Sequence, residues 1–215
     1  MGGVTEPHAS VRPYRPQDLP AIEDICVRTA HNGGDSRPHY ADPGVFPATF
    51  ATPYVELEPE SAFVLDDGRG RAVGYIVGIA DTPRFAAEFR TKWLPRVAGR
   101  YPAPEAAPAT PDEAIADLLH RPERMVVPEM AGYPAHLHID LLPEWQGKGY
   151  GRALMETFLR ALHGRGVPAV HLVMSRANTN ARAFYDRMGF QEVAVPGEDE
   201  VAFLVRPTGT GASGA

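Results

Sequence analysis

The segment "AHLHIDLLPEWQGKGYGRALMETFLRALHGRG", Ala135 to Gly166, constrains the fold more than any other stretch of the chain. Its first residues alternate as a β-strand does, with His136, His138 and Asp140 on one side and Leu137, Ile139 and Leu141 on the other. Its last residues place Leu154, Phe158, Leu159 and Leu162 at helical spacing. Between them Gly147, Gly149 and Gly151 fall within five residues. Backbone that rich in glycine reaches left-handed dihedrals and leaves its amides uncovered.

Two common phosphate-binding patterns fail here. The NTPase loop needs a Ser or Thr after its lysine, and Lys148 is followed by Gly149. The dinucleotide fingerprint needs a third glycine where Arg152 or Leu154 stands. A third pattern, Q-x-x-G-x-G opening a helix straight after a strand, fits from Gln146 to Gly151. Successive amides there point into one concavity, and the helix adds its unpaired N–H groups and positive dipole end. Lys148, one of two lysines in the chain, and Arg152 add positive charge. A glycine-rich turn without a ligand is the alternative.

The rest of the chain alternates strand and helix. Residues 11–31 read as a strand, a turn and a helix, with Asp18 as its cap and Pro20 in its first turn. "NGGDSRPHYADPG" reads as a loop, and residues 61–81 as a hairpin turning at Asp67-Gly68. Residues 82–135 carry recurrent prolines and two helical patches, and read as an insertion packed over the sheet. "AVHLVMS" is a buried strand, "NTNARAFYDRMGF" a second helix stopped by Gly189, and two more strands close the chain. The expected class is α/β, one domain over residues 11–206 with a mixed central sheet flanked by helices. Residues 1–10 are expected to be a flexible leader and 207–215 a flexible tail.

Composition sets outer limits. A hydrophobic content of 44% with 22% charged residues belongs to a globular chain, and a net charge of -6 argues against a nucleic-acid partner. The single cysteine, Cys26, lies in an apolar-periodic segment and reads as a buried thiol. Neither a membrane span nor a signal-peptide profile is present, so a cytoplasmic protein with no membrane partner is expected.

Strand–QxxGxG–helix is followed downstream by strand–NxxAxxFY–helix–GF, from Asn178 through Ala181 to Tyr185 and on to Gly189-Phe190. The two motifs in this order resemble the GCN5-related N-acetyltransferase (GNAT) superfamily. "YRPQDLPAIEDIC", "KWLP", "RYPAP" and "LHID" further resemble the acetyltransferase-like C-terminal domain of O-GlcNAcases. Nothing resembles the glycoside hydrolase domain of those enzymes, so no glycosidase activity is expected. The resemblance implies an acetyl-CoA site. The Gly147–Gly151 amides, with Gln146, Lys148, Tyr150 and Arg152, would hold the pyrophosphate. Leu141 and Leu142 would pair their backbone with the pantetheine arm where the sheet splays. Asn178 and Ala181 would border that arm, and Tyr185 would bring its hydroxyl near the sulfur.

Acetyl transfer to an amine needs a base, an oxyanion donor and an acid for the leaving thiolate. Tyr185 is the candidate acid, and a backbone N–H near Leu141 the family-like oxyanion donor. Asp140 is the candidate base or amine anchor. The polar row His136, His138, Asp140 reads either as a hydrogen-bonded layer or as a cleft wall. No metal is expected, since His163 and His171 offer no convincing third ligand. Asp81, Phe85, Trp93 and Tyr101 of the insertion could line the acceptor side, although a core role suits the aromatics better. The expected function is acetyl-CoA-dependent N-acetylation of a small-molecule or peptide amine by a monomer or homodimer. The alternative is an acyl-CoA-binding module without turnover.

Overall fold

The strand order follows from where the chain can bury both faces of a sheet. The computed structural model describes residues 8–209. Residues 1–7 and 210–215, where most of the leader and tail were expected, lie outside them. The elements run β1 (Ser10–Pro13), α1 (Leu19–Thr29), α2 (Val45–Phe50), α3 (Thr52–Leu57), β2 (Ala62–Asp66) and β3 (Ala72–Ile79). The insertion supplies α4 (Thr82–Glu88), a π-helical turn over Phe89–Trp93, α5 (Leu94–Val97) and α6 (Pro111–His120). Then come β4 (Ala135–Leu141), α7 (Tyr150–Gly164), β5 (Ala169–Ser175), α8 (Thr179–Arg187), β6 (Gln191–Val193) and β7 (Val201–Pro207). The seven strands form one mixed sheet, ordered β1-β2-β3-β4-β5-β7-β6. All pairs are antiparallel except β4 with β5. Every residue of β3 is buried, because helices cover both faces of the centre.

α7 covers one face. Its apolar stripe of Leu154, Met155, Phe158, Leu159 and Leu162 is buried against the sheet, and Gly166 past its end takes φ 77°. Gly78 of β3 is what lets α7 come so close. A Cβ there would stand 2.4 Å from Phe158 Cζ and 2.5 Å from the His136 carbonyl oxygen. α1, with Ile22, Ile25, Cys26 and Thr29 turned inward, joins α2 and α3 over β3 and β4.

Four local expectations change. Asp18 does not cap α1; it is buried, binds the Arg12 guanidinium and accepts the Arg15 N–H at 2.8 Å. Residues 45–57, left unassigned from sequence, form α2 and α3. Nearly all of their side chains are buried, so no polar face marks them as helical. β1 begins at Ser10, inside the expected leader. β7 runs through Pro207, and the buried Thr208 donates its hydroxyl to the Val167 carbonyl at 2.5 Å, inside the expected tail.

The insertion is anchored by its aromatics. Trp93 Nε1 donates to the Ala48 carbonyl at 2.8 Å, and Phe85 packs on Tyr54 with ring centroids 4.6 Å apart. Asp81 caps α4 by accepting the Arg84 N–H at 2.8 Å. Phe85, Trp93 and Tyr101 are buried in the main core, and Cys26 is buried there too. Among the described residues no helix is long and apolar enough to cross a membrane.

Replacing Gly78 by Ala should destabilise the fold by about 1–3 kcal/mol, since one clashing atom is backbone and cannot swing away. Thermal melting checks this, with a fall of about 2–4 °C per kcal/mol expected for a chain of this size. An unchanged midpoint would contradict the close packing.

Candidate active site

The sheet opens along one seam. β4 and β5 pair only at Ala135 with Val170 and His136 with His171. Beyond that β4 follows β3 to Leu141, and β5 follows β7 to Ser175. The Leu142 N–H donates to the Val73 carbonyl at 3.1 Å. In an antiparallel ladder alternate residues turn their backbone groups to the same neighbour. The N–H and C=O groups of Leu137, Ile139 and Leu141 therefore face the seam.

Two cavities occupy it. One, of about 470 Å³, is bounded by Ile139, Asp140 and Leu141, the glycine loop, the first turns of α8 and the end of α1. The other, of about 340 Å³, is bounded by His136, Leu137 and His138, by Leu172 to Ser175 across the seam, and by Phe50, Tyr54 and Arg124. β4 thus serves one cavity with each half.

At the mouth of the larger cavity the backbone is unusual. Gly147 and Gly149 have φ 71° and 85°, and Gly149 is the residue from which α7 starts. A non-glycine residue would be strained at either position. Gly151 has a different reason: a Cβ there would lie 3.2 Å from the Phe184 ring, so it is small to let α8 approach. Gln146 N–H donates to Pro143 and Ala153 N–H to Gly149. Among the described residues, the amides of residues 147 to 152 donate to no protein acceptor. A run of free donors at the start of a 15-residue helix has the chemistry that suits an anion.

Asp140 lines the larger cavity, two residues along β4 from His138 of the smaller one. Tyr75 Oη donates to Asp140 Oδ2 at 2.6 Å. Burial pushes the carboxyl up and the bond from Tyr75 pulls it part of the way back, leaving it at about 6. Burial and the Asp140 charge hold the Tyr75 phenol well above its usual range, so it stays a donor. Tyr185 lines the larger cavity. Burial, then the Asp140 charge, raise its phenol as well, so its proton is retained at neutral pH.

The histidines form a directed chain. Thr82 Oγ1 lies 2.8 Å from the Pro134 carbonyl and must donate its one proton there. His136 Nδ1–H then donates to Thr82 Oγ1 at 2.9 Å, leaving Nε2 to accept the Tyr54 hydroxyl at 2.8 Å. The Tyr54 oxygen accepts His138 Nε2–H at 3.0 Å. Burial keeps both rings neutral, pushing His136 well below its usual range and His138 down to about 4. The His138 Nδ1 lone pair is left without a protein donor. Among the described residues no buried side-chain polar atom lacks a partner, so this nitrogen is accessible, and the His138 ring lines the smaller cavity. The polar row is therefore both of the things expected: a bonded layer at His136 and a cleft wall at His138 and Asp140.

Of the residues singled out from sequence, Asp140, Tyr185, Leu141, Gln146, Gly147, Gly149, Gly151, Arg152, Asn178 and Ala181 share the larger cavity. Leu142 does not: it is buried, its N–H is bonded to Val73 and its carbonyl accepts from Trp145. Lys148 sits with its ammonium 5.6 Å from the Trp145 ring centre, and Tyr150 packs on the same ring, away from the cavity lining. Gln146 Nε2 donates to the Leu141 carbonyl at 2.8 Å, so it fastens the strand end. Asn178 Oδ1 caps α8 through the Ala181 N–H at 3.0 Å. Asp81, Phe85, Trp93 and Tyr101 line neither cavity. Sequence reasoning missed Thr29, Asn32 and Gly33 at the end of α1, and also Tyr75, Tyr54 and Arg124. Only the φ of 52° at Asn32, beside two glycines, marks a tight turn that a sequence could betray.

Comparison with known proteins agrees with this geometry. The family model for the Acetyltransferase (GNAT) domain matches residues 123–192. The chain is 23% identical over 187 residues to Protein O-GlcNAcase of Rattus norvegicus, covering 86% of this chain and 20% of that protein. The chain thus spans about a fifth of the length of this curated relative. The crystal structure of SsHAT is 72% identical, covers 95% of this chain and 100% of its own, and superposes with a TM-score of 0.92. A phosphinothricin acetyltransferase from Sinorhizobium meliloti, solved in complex with AcCoA, shares the fold at 18% identity. There the coverage is 96% of this chain and 92% of that one, and the TM-score is 0.55. The chain belongs to the GNAT acetyltransferase family.

Removing the Tyr75 hydroxyl tests the electrostatics directly. In Tyr75→Phe the Asp140 carboxyl loses the donor that lowers it, so its titration midpoint should rise above about 6. Carbon-detected NMR titration of the aspartate carboxyls reads this, and a midpoint that stays or falls would contradict it.

Proposed function

We propose that this protein transfers the acetyl group of acetyl-CoA to a primary amine by direct attack in a ternary complex. The observation that carries the reading is the run of unpartnered amides, residues 147 to 152, at the mouth of a cavity that continues along the open edge of β4. Free N–H groups with left-handed glycines between them suit a pyrophosphate, and the free backbone edge at Ile139 and Leu141 suits an amide-bearing arm. That a protein of similar fold is solved with AcCoA supports the choice of cosubstrate.

The roles follow from position. The amine approaches from the smaller cavity and gives up its proton to Asp140, whose midpoint near 6 leaves it ionised at neutral pH. Its nitrogen bonds to the thioester carbonyl carbon while a seam-facing N–H of Ile139 or Leu141 stabilises the oxyanion. The C–S bond breaks, and Tyr185 donates its proton to the departing thiolate. The products are the acetylated amine and free CoA thiol.

Calorimetric titration with acetyl-CoA tests the cofactor site, and absence of binding at millimolar ligand would sink the proposal. Gly149→Val should weaken binding by about 10- to 100-fold, the equivalent of roughly 1–3 kcal/mol of backbone strain. A thiol-release assay on an amine panel then separates an enzyme from a module that binds acyl-CoA without turnover. Turnover should rise with pH through about 6, because below that value Asp140 is protonated and accepts nothing. Asp140→Asn should lower kcat by roughly 10²–10⁴-fold and remove that acid limb, with acetyl-CoA affinity retained. Full activity in that variant would displace Asp140 from the role.

A further inference from the structure

The smaller cavity has a polarity of its own. At its β4 wall the His138 Nδ1 lone pair is exposed and held in place by the chain through Tyr54 and His136. On the insertion side stands Arg124. Its Nε donates to the Leu118 carbonyl at 3.2 Å, and its guanidinium lies 5.9 Å from the Phe50 ring centre. The same Phe50 ring stands 5.4 Å from the His138 ring. Between these ends the lining is mostly apolar, with Met125, Leu172 and Phe203 among it and His171, Ser175 and Glu198 as its further polar groups.

Arg124 has no carboxylate partner within 4 Å among the described residues. Glu198 lines the same cavity from the β6–β7 connection without pairing to it. The side chain reaches solvent, yet its surroundings push the guanidinium below its usual range. The guanidinium is exposed and has donors to spare, so an incoming anion can reach it.

We infer that the smaller cavity takes a small, apolar primary amine that carries a carboxylate, the amine end at His138 and Asp140 and the carboxylate on Arg124. This rests on the acetyltransfer reading and specifies its acceptor. The lone pair on His138 accepts an N–H of the amine and orients it toward Asp140, two residues along the same face of β4. The guanidinium receives the carboxylate through two parallel bonds, a geometry lysine cannot supply.

The test needs no turnover. N-acetyl-leucine and N-acetyl-leucinamide, product analogues differing only in the carboxylate, are titrated into the protein saturated with CoA. The acid should bind at least about 10-fold more tightly than the amide, the scale of one charge-assisted bidentate contact. In Arg124→Gln that preference should disappear while acetyl-CoA affinity stays as in wild type. Equal binding of acid and amide, or a preference that survives in Arg124→Gln, overturns the inference. So does a wild-type preference for neutral or peptide amines in the thiol-release assay. Failure of acetyl-CoA itself to bind would instead overturn the acetyltransfer reading, so the two failures are distinguishable.

Discussion

The site depends on a ladder that stops early. β4 and β5 run parallel, and after His136 and His171 they part. Each strand keeps its antiparallel partner on the far side, β3 for one and β7 for the other, so the separation costs only the hydrogen bonds of the seam itself. Those lost bonds leave free backbone groups at Ile139 and a free N–H at Leu141, whose carbonyl is taken by Gln146. A buried edge of that kind is unstable unless something polar occupies it. The two cavities are the consequence, and every functional side chain is placed relative to that gap.

The polar face of β4 follows the same logic. His136, His138 and Asp140 would be costly in a closed sheet. Here each has a partner: Thr82 and Tyr54 from the overlying layer for His136, Tyr54 for His138, and Tyr75 of the neighbouring strand for Asp140. These bonds do more than satisfy. They fix the tautomer of two neutral imidazoles and leave one nitrogen free, and they leave a carboxylate near 6. The insertion and the α2–α3 pair matter because they deliver Thr82 and Tyr54, the partners of the two histidines.

Much of this was legible beforehand. Regular alternation in β4 and regular helical spacing in α7 located the glycine loop, and its spacing set it apart from two other phosphate-binding patterns. Period and motif singled out Asp140 and Tyr185, and both line the larger cavity. The misses share a cause. Val45–Leu57 is buried on nearly all sides, so its helices have no polar face to read. Leu142, Lys148 and Tyr150 sit inside the motif, yet one is turned into the core and two pack around Trp145. A motif specifies where the backbone goes, and neighbours decide which side chains accompany it.

The sequence by itself determined the architecture, the glycine loop and the strand that leads to it, because dihedral preference and periodicity act between residues close in the chain. Tertiary structure alone decided that β4 would part from β5, that Tyr75 would clamp Asp140 across a ladder, and that Tyr54 would link two histidines more than eighty residues away. It also decided that Arg124 would face a cavity without a carboxylate paired to it among the described residues. Such relations arise from contacts distant in sequence, and their energies come from burial and charge, which no local pattern records.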